Sequence, residues 1–196
     1  MSPYSEEPRT ATSVQPCEYS LEERELLLRL AHRSIELSLE GRSVALTSPT
    51  AHLAKPHGAF TTLHLEGELR GCIGFVLPIQ SLYAAVAESA RAAALDDPRF
   101  PPVTPAEAPH LKIGISVLSP LQPIRPEEIV VGRHGLVVTQ GNRRGLLLPQ
   151  VPIEWKWDRE TFLGQTCLKA GLSADAWQHG AQLQAFTAEV FGEPPG

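Results

Sequence analysis

Two spacings of apolar residues divide the chain into helices and hairpins. Leu26, Leu27, Leu30, Ala31 and Ile35 recur at helical intervals behind Ser20-Leu21-Glu22-Glu23. That leader fits a capping box, with Ser20 at the N-cap and Glu23 reaching back from the third helical position. The pattern predicts an amphipathic helix that stops at Gly41. An alanine-rich stretch predicts a second helix from Ser81 to Leu95, ending before Pro98 because a proline restricts the residue ahead of it. A third begins at Asp158, places Phe162, Leu163, Cys167 and Ala170 on one side and stops at Gly171. Ser173 caps a short helix around Trp177.

Elsewhere the pattern is that of strands. Residues 60–65 and 69–75 flank Glu66-Gly67-Glu68, a hairpin signal. If Leu65 pairs with Leu69, then His64 faces Arg70 and Thr62 faces Cys72, and a slip of one residue would turn that face over. Leu111, Ile113, Ile115 and Val117 alternate with Lys112, Gly114 and Ser116, which predicts a strand with one buried face. Pro120, Pro123 and Pro126 mark a crossing. Leu136-Val137-Val138 and residues 145–148 form a second hairpin around residues 140–144, with Leu148-Pro149-Gln150-Val151 closing its second strand. A last strand is predicted over residues 183–191. Strands that come as hairpins imply an α+β fold on antiparallel sheets, not a doubly wound parallel one.

Composition narrows the function classes. With 196 residues, 42% of them hydrophobic, the chain can bury a sizeable core. Seventeen basic against 22 acidic residues give a net charge of −5, so the basic footprint of a nucleic-acid binder is absent. No apolar run approaches the length of a membrane helix. Cys17, Cys72 and Cys167 are odd in number and far apart, which argues for a reducing compartment and a cytoplasmic location. Without a C-x-x-C pair or clustered histidines, no structural metal site is expected. Residues 1–17 are polar and read as a disordered leader, residues 18–192 as a single domain, and residues 193–196 as a tail.

The chemistry concentrates in Leu69-Arg70-Gly71-Cys72-Ile73-Gly74-Phe75. In an extended chain Leu69, Gly71, Ile73 and Phe75 share the core face, and Arg70, Cys72 and Gly74 share the other. Two glycines in one strand open the backbone to close approach by a ligand or a second chain. Cys72 is a candidate nucleophile whose thiolate Arg70 would favour, or it is a small buried hydrophobe. Arg70 is an anion clamp, or it pairs with Asp96 or Asp97. His134 is a candidate acid/base for Cys72 or a hydrogen-bonded loop histidine, with His64 as the rival imidazole. Gly71, Gly74, Asp97, Arg99 and Gln150 are candidate substrate-binding positions.

Leu69-Arg70-Gly71-Cys72-Ile73-Gly74 resembles the signature hexapeptide of the AMMECR domain family, called in prokaryotes AmmeMemoRadiSam system protein A. Phe60-Thr61-Thr62-Leu63, Asp97-Pro98-Arg99-Phe100, Ser116-Val117-Leu118 and Gly132-Arg133-His134-Gly135-Leu136 stand in the same order as that family's motifs. So do Leu148-Pro149-Gln150-Val151 and Lys169-Ala170-Gly171-Leu172. Trp155-Lys156-Trp157 departs from the pattern where a glycine-containing turn is expected. The resemblance implies two unequal subdomains with a cleft between them, and partnership with a radical-SAM protein and a Memo-type protein. It implies no reaction and no particular cofactor. The functional expectation is therefore an enzyme or enzyme component acting on a small substrate at a cysteine-centred site. The alternative is a non-catalytic protein-binding module using the same surface.

Overall fold

The structure is a computed structural model that describes residues 18–194. The leader assigned to residues 1–17 lies outside the described residues, as do the last two residues of the tail. Helix α1 (Leu21–Leu39) begins at the expected capping box: Glu23 N donates to Ser20 Oγ at 3.2 Å, and Ser20 N donates to Glu23 Oε2 at 3.1 Å. Strands β1 (Gly58–Leu65) and β2 (Glu68–Phe75) form the first hairpin, and α2 (Leu82–Leu95) follows with Ser81 as its N-cap. Strand β3 (Lys112–Leu118) and the short β4 (Gln122–Pro123) lead to the hairpin of β5 (Gly135–Gln140) and β6 (Arg143–Leu147). Helices α3 (Val151–Glu154) and α4 (Arg159–Lys169) precede β7 (Gln182–Phe186) and β8 (Ala188–Gly192).

The strands make two antiparallel four-stranded sheets, ordered β2-β1-β3-β8 and β4-β7-β5-β6, which is the expected α+β class. Helices α1 and α2 cover one face of the first sheet. Alanines along α2 let the helix lie close, so that a side chain at Gly71 would collide with the Ala93 carbonyl oxygen. The hydroxyls of Thr61 on β1 and Ser89 on α2, both buried, meet at 2.7 Å beneath the sheet. The second sheet packs Leu136, Leu147 and Ala185 against Phe162 and Leu163 of α4. Leu118, Val137 and Phe186, with Phe60 and Val76 beside them, join the two sheets.

Two strand readings and one helix reading are corrected. The predicted strand over residues 183–191 is two strands, because the chain leaves the second sheet at Phe186 and enters the first at Ala188. Thr187 bridges the break, its N–H donating to Ser119 Oγ at 2.9 Å. The stretch Leu148-Pro149-Gln150-Val151 does not close β6, which ends at Leu147; Pro152 at the start of α3 suits the first turn of a helix. The short helix near Trp177 is a single 3-10 turn, Ala176–Gln178.

The first hairpin is also tighter than expected. Glu66 and Gly67 both have positive φ, 53° and 84°, the signature of a two-residue turn whose twist matches the strands. Leu65 therefore pairs with Glu68 and His64 with Leu69, while Thr62 still faces Cys72. Between them Arg70 is left over as the extra residue of a β-bulge.

Candidate functional site

The registers place three residue sets on the face of the first sheet that no helix covers. From β2 and β1 these are Cys72, Gly74, Phe60, Thr62 and His64. β3 adds Lys112, Gly114 and Ser116, and β8 adds Val190 and Gly192. Cys72, Thr62, Gly114 and Gly192 form one row across all four strands, so the middle of the face carries little side-chain bulk. Phe60 lies over Gly74, where a Cβ would strike its ring. A Cβ at Gly114 would meet nothing within 4 Å. No carboxylate projects from these positions. His64 and Lys112 face each other across β1 and β3, and neither has a side-chain hydrogen bond or ion pair among the described residues.

Cys72 is half-buried, and its Sγ lies 3.3 Å from Thr62 Oγ1. Its backbone is gripped from outside the sheet: Cys72 N donates to Asp97 Oδ2 at 2.8 Å, and Arg99 Nη2 donates to the Cys72 carbonyl at 3.3 Å. Asp97 and Arg99 thus supply an acceptor and a donor where another strand would, at the open edge of β2. Such blocking suppresses edge-to-edge pairing. Asp97 as a residue is only 5% exposed, and its carboxyl is doubly engaged by Arg99, at 3.0 and 2.7 Å. Those hydrogen bonds hold its pKa well below the usual carboxylate range, against the opposing effect of burial.

Arg70 does not act on the thiol. The bulge aims it at the loop after α2, where Nε donates to Glu107 Oε1 at 3.0 Å and Nη1 to the Pro101 carbonyl at 2.8 Å. A second guanidinium nitrogen reaches Glu107 Oε2 at 3.2 Å, so the pair is bidentate. Arg70 lowers the Glu107 carboxyl to about 2, helped by the Thr104 N–H. Arg70 pairs with neither Asp96 nor Asp97. Asp96 instead meets Arg91 at 2.8 Å.

His134 stands before β5, in the half of the molecule built on the second sheet. Its Nδ1 accepts the Val130 N–H at 3.2 Å, and burial, then the nearby Arg133 charge, lower its pKa. The polar contacts of Cys72 among the described residues are Thr62, Asp97 and Arg99, with no imidazole. Gln150 is exposed at the N-terminus of α3. Gly71 turns toward α2 and away from the open face. The expected set is therefore split: Cys72, Gly74, Asp97 and Arg99 gather at β2, whereas His134 and Gln150 belong elsewhere. Among the described residues no group of three His, Cys, Asp or Glu is arranged to hold a metal ion, and no helix is long and apolar enough to cross a membrane.

Sequence reasoning missed Glu107 as the partner of Arg70, since 37 residues separate the two. It did not assign Lys112, Gly114 or Ser116 to a site. Their alternation with Ile113, Ile115 and Val117 was the signal that puts them on the open face.

The profile of the AMMECR1 family matches residues 28–191. A protein of Thermococcus gammatolerans is 47% identical over 183 residues, covering 86% of this chain and 89% of its own length. Protein MK0488 of Methanopyrus kandleri is 47% identical over 186 residues, covering 89% and 90% of the two chains. The crystal structure of uncharacterized protein PH0010 from Pyrococcus horikoshii superposes with a TM-score of 0.78 at 44% identity, covering 86% of this chain and 90% of that one.

Proposed function

The chain belongs to the AMMECR1 family, and within it we propose that this protein is a recognition module whose binding surface is the helix-free face of the first sheet. One observation carries the reading. The charged groups that would turn Cys72 into a catalytic centre are occupied in holding the scaffold, while the sheet face that it shares is open at Gly114. Arg70 is tied to Glu107, Arg99 to Asp97, and the sulfur meets a hydroxyl rather than a base. A row of small residues lets another surface approach the sheet backbone, with Ser116 and Thr62 as hydrogen-bonding groups and Lys112 as a cation at one end. The partners to try first are those the family resemblance implies, a radical-SAM protein and a Memo-type protein.

The test is calorimetric titration of the purified chain with each of those two proteins. Gly114→Trp fills the face without touching the core, because the space above Gly114 is open. Binding to at least one partner, lost in Gly114→Trp with an unchanged thermal transition, supports the reading. Binding equal in the wild type and the variant contradicts it.

A second reading keeps thiol chemistry at the same place. The short Thr62 Oγ1 to Cys72 Sγ contact, on a face open to solvent, favours a thiol that a small substrate reaches. Site-resolved alkylation against pH decides between the two. A Cys72 midpoint clearly below the free-thiol reference of about 8.5 would favour the enzyme. A midpoint at or above it leaves recognition as the function.

A further inference from the structure

We propose that the space between β4, β7 and the loop preceding β5 is a second binding site, independent of the open sheet face, for a small carboxylate with a short apolar tail. The space measures about 160 Å³. It lies where the chain passes from one sheet to the other and back. Clefts that enclose drug-sized compounds measure roughly 300–1,000 Å³, so the occupant here is smaller. Pro120, Pro123, Ile124 and Phe186 supply apolar wall, and Gln122, Thr187 and His134 supply polar groups.

The walls are fixed before any ligand arrives. The two crossing segments are stitched together by Ser119 N donating to the Thr187 carbonyl and Thr187 N donating to Ser119 Oγ, both at 2.9 Å. Two prolines stiffen one of them. His134 is fixed as well. Its Nδ1 accepts the Val130 N–H, so in the neutral ring the proton sits on Nε2. That Nε2–H has no protein partner among the described residues, and the ring lines the space. An imidazole N–H without a protein partner, on a ring that lines a small space, calls for an acceptor on the ligand.

Charge selects the kind of acceptor. No Asp or Glu lines the space, and the charge acting on the His134 ring is the Arg133 cation. An anion is therefore favoured over a cation, and a carboxylate presents two oxygens for the His134 N–H and the neighbouring hydroxyl or amide. The aliphatic tail would rest on Ile124 and Phe186.

Propionate titrated into the full chain is the probe, followed by the His134 ring nitrogens and the Val130 amide in heteronuclear NMR, with sodium chloride at matched ionic strength as control. The expected result is a saturable shift of both signals in propionate alone. His134→Ala, followed at the Val130 amide, should weaken propionate binding by at least about tenfold, with the thermal transition measured to confirm folding. Should removal of the ring unfold the loop, Ile124→Trp, which fills the space from its apolar wall, must give the same loss. Absence of saturation, equal shifts in chloride, or binding retained in Ile124→Trp would overturn the proposal.

Discussion

The central strands of the two sheets differ in how many of their faces are covered. In β5 the run Leu136-Val137-Val138 is fully buried, with Leu136 and Val138 under α4 and Val137 against the first sheet. In β1 the pattern alternates: Ala59, Thr61 and Leu63 are buried under the helices, and Phe60, Thr62 and His64 are only partly covered. An uninterrupted apolar run marks a strand buried on both sides, and alternation marks one with a free face. Both sheets have four antiparallel strands, and neither has helices on both faces. The face of the second that bears Val137 packs on the first sheet, whereas the helix-free face of the first is open around Gly114. That open face is why recognition is assigned to the first sheet, while the space beside β4 and β7 suits only a small ligand.

The sharpest way to break this contrast is to substitute two glycines on opposite faces of the first sheet. Gly71→Ala drives a methyl into the Ala93 carbonyl beneath the sheet and should cost about 3 kcal/mol, as overpacking does. Gly114→Ala meets open space on the other face and should stay within about 0.5 kcal/mol of wild type. Urea denaturation of the pair measures both. Similar costs would mean that the open face is covered in solution.

Next in size is Asp97→Asn. It weakens the hydrogen bonds that tie Arg99 and the Cys72 backbone to the edge of β2, and should cost about 2 kcal/mol in the same measurement. The same carboxylate sharpens the comparison through pH. Asp97 and Glu107 are both held below their unfolded values, which lie near 4. Their stabilisation is therefore present above about pH 4 and is lost as pH falls toward 2. The second sheet has no comparable buried carboxylate among the described residues. Thermal scans between pH 7 and 2 should show the decline, and Asp97→Asn should flatten part of it. A wild-type profile as steep as that of the variant would remove Asp97 from the account.

The smallest expected effect is Tyr19→Phe. The Tyr19 ring is buried against His52, with ring centroids 4.8 Å apart, but its hydroxyl has no partner among the described residues. Removing an unsatisfied hydroxyl should leave stability unchanged within about 0.5 kcal/mol or raise it slightly. A larger loss, by thermal denaturation, would show that the hydroxyl is engaged.

Local signals in the sequence were informative wherever a residue's neighbours in the chain decide its environment. Ser20, Ser81 and Asp158 cap helices because their oxygens reach amide groups three residues on. The pairing of Thr62 with Cys72 also followed from the hairpin. The bulge at Arg70 was not legible, because it depends on a two-residue turn fixing the tip while the sheet fixes the base, with one residue too many between them. Arg70 then left the face to which alternation assigned it. The break at Thr187 was hidden for a related reason: both halves of residues 182–192 have strand character, and only tertiary packing assigns them to different sheets. His134 and Cys72 share no local signal, so their separation into two halves could be learned only from the fold.

The most direct test of the central claim is site-resolved alkylation of Cys72 and Cys167 in the native protein, alone and in complex with whichever partner binds. Cys72 sits half-buried on the open face and Cys167 is completely buried. The account predicts that Cys72 reacts in the free protein and is protected in the complex, while Cys167 reacts only after unfolding. Equal reactivity of Cys72 with and without the partner bound would contradict it.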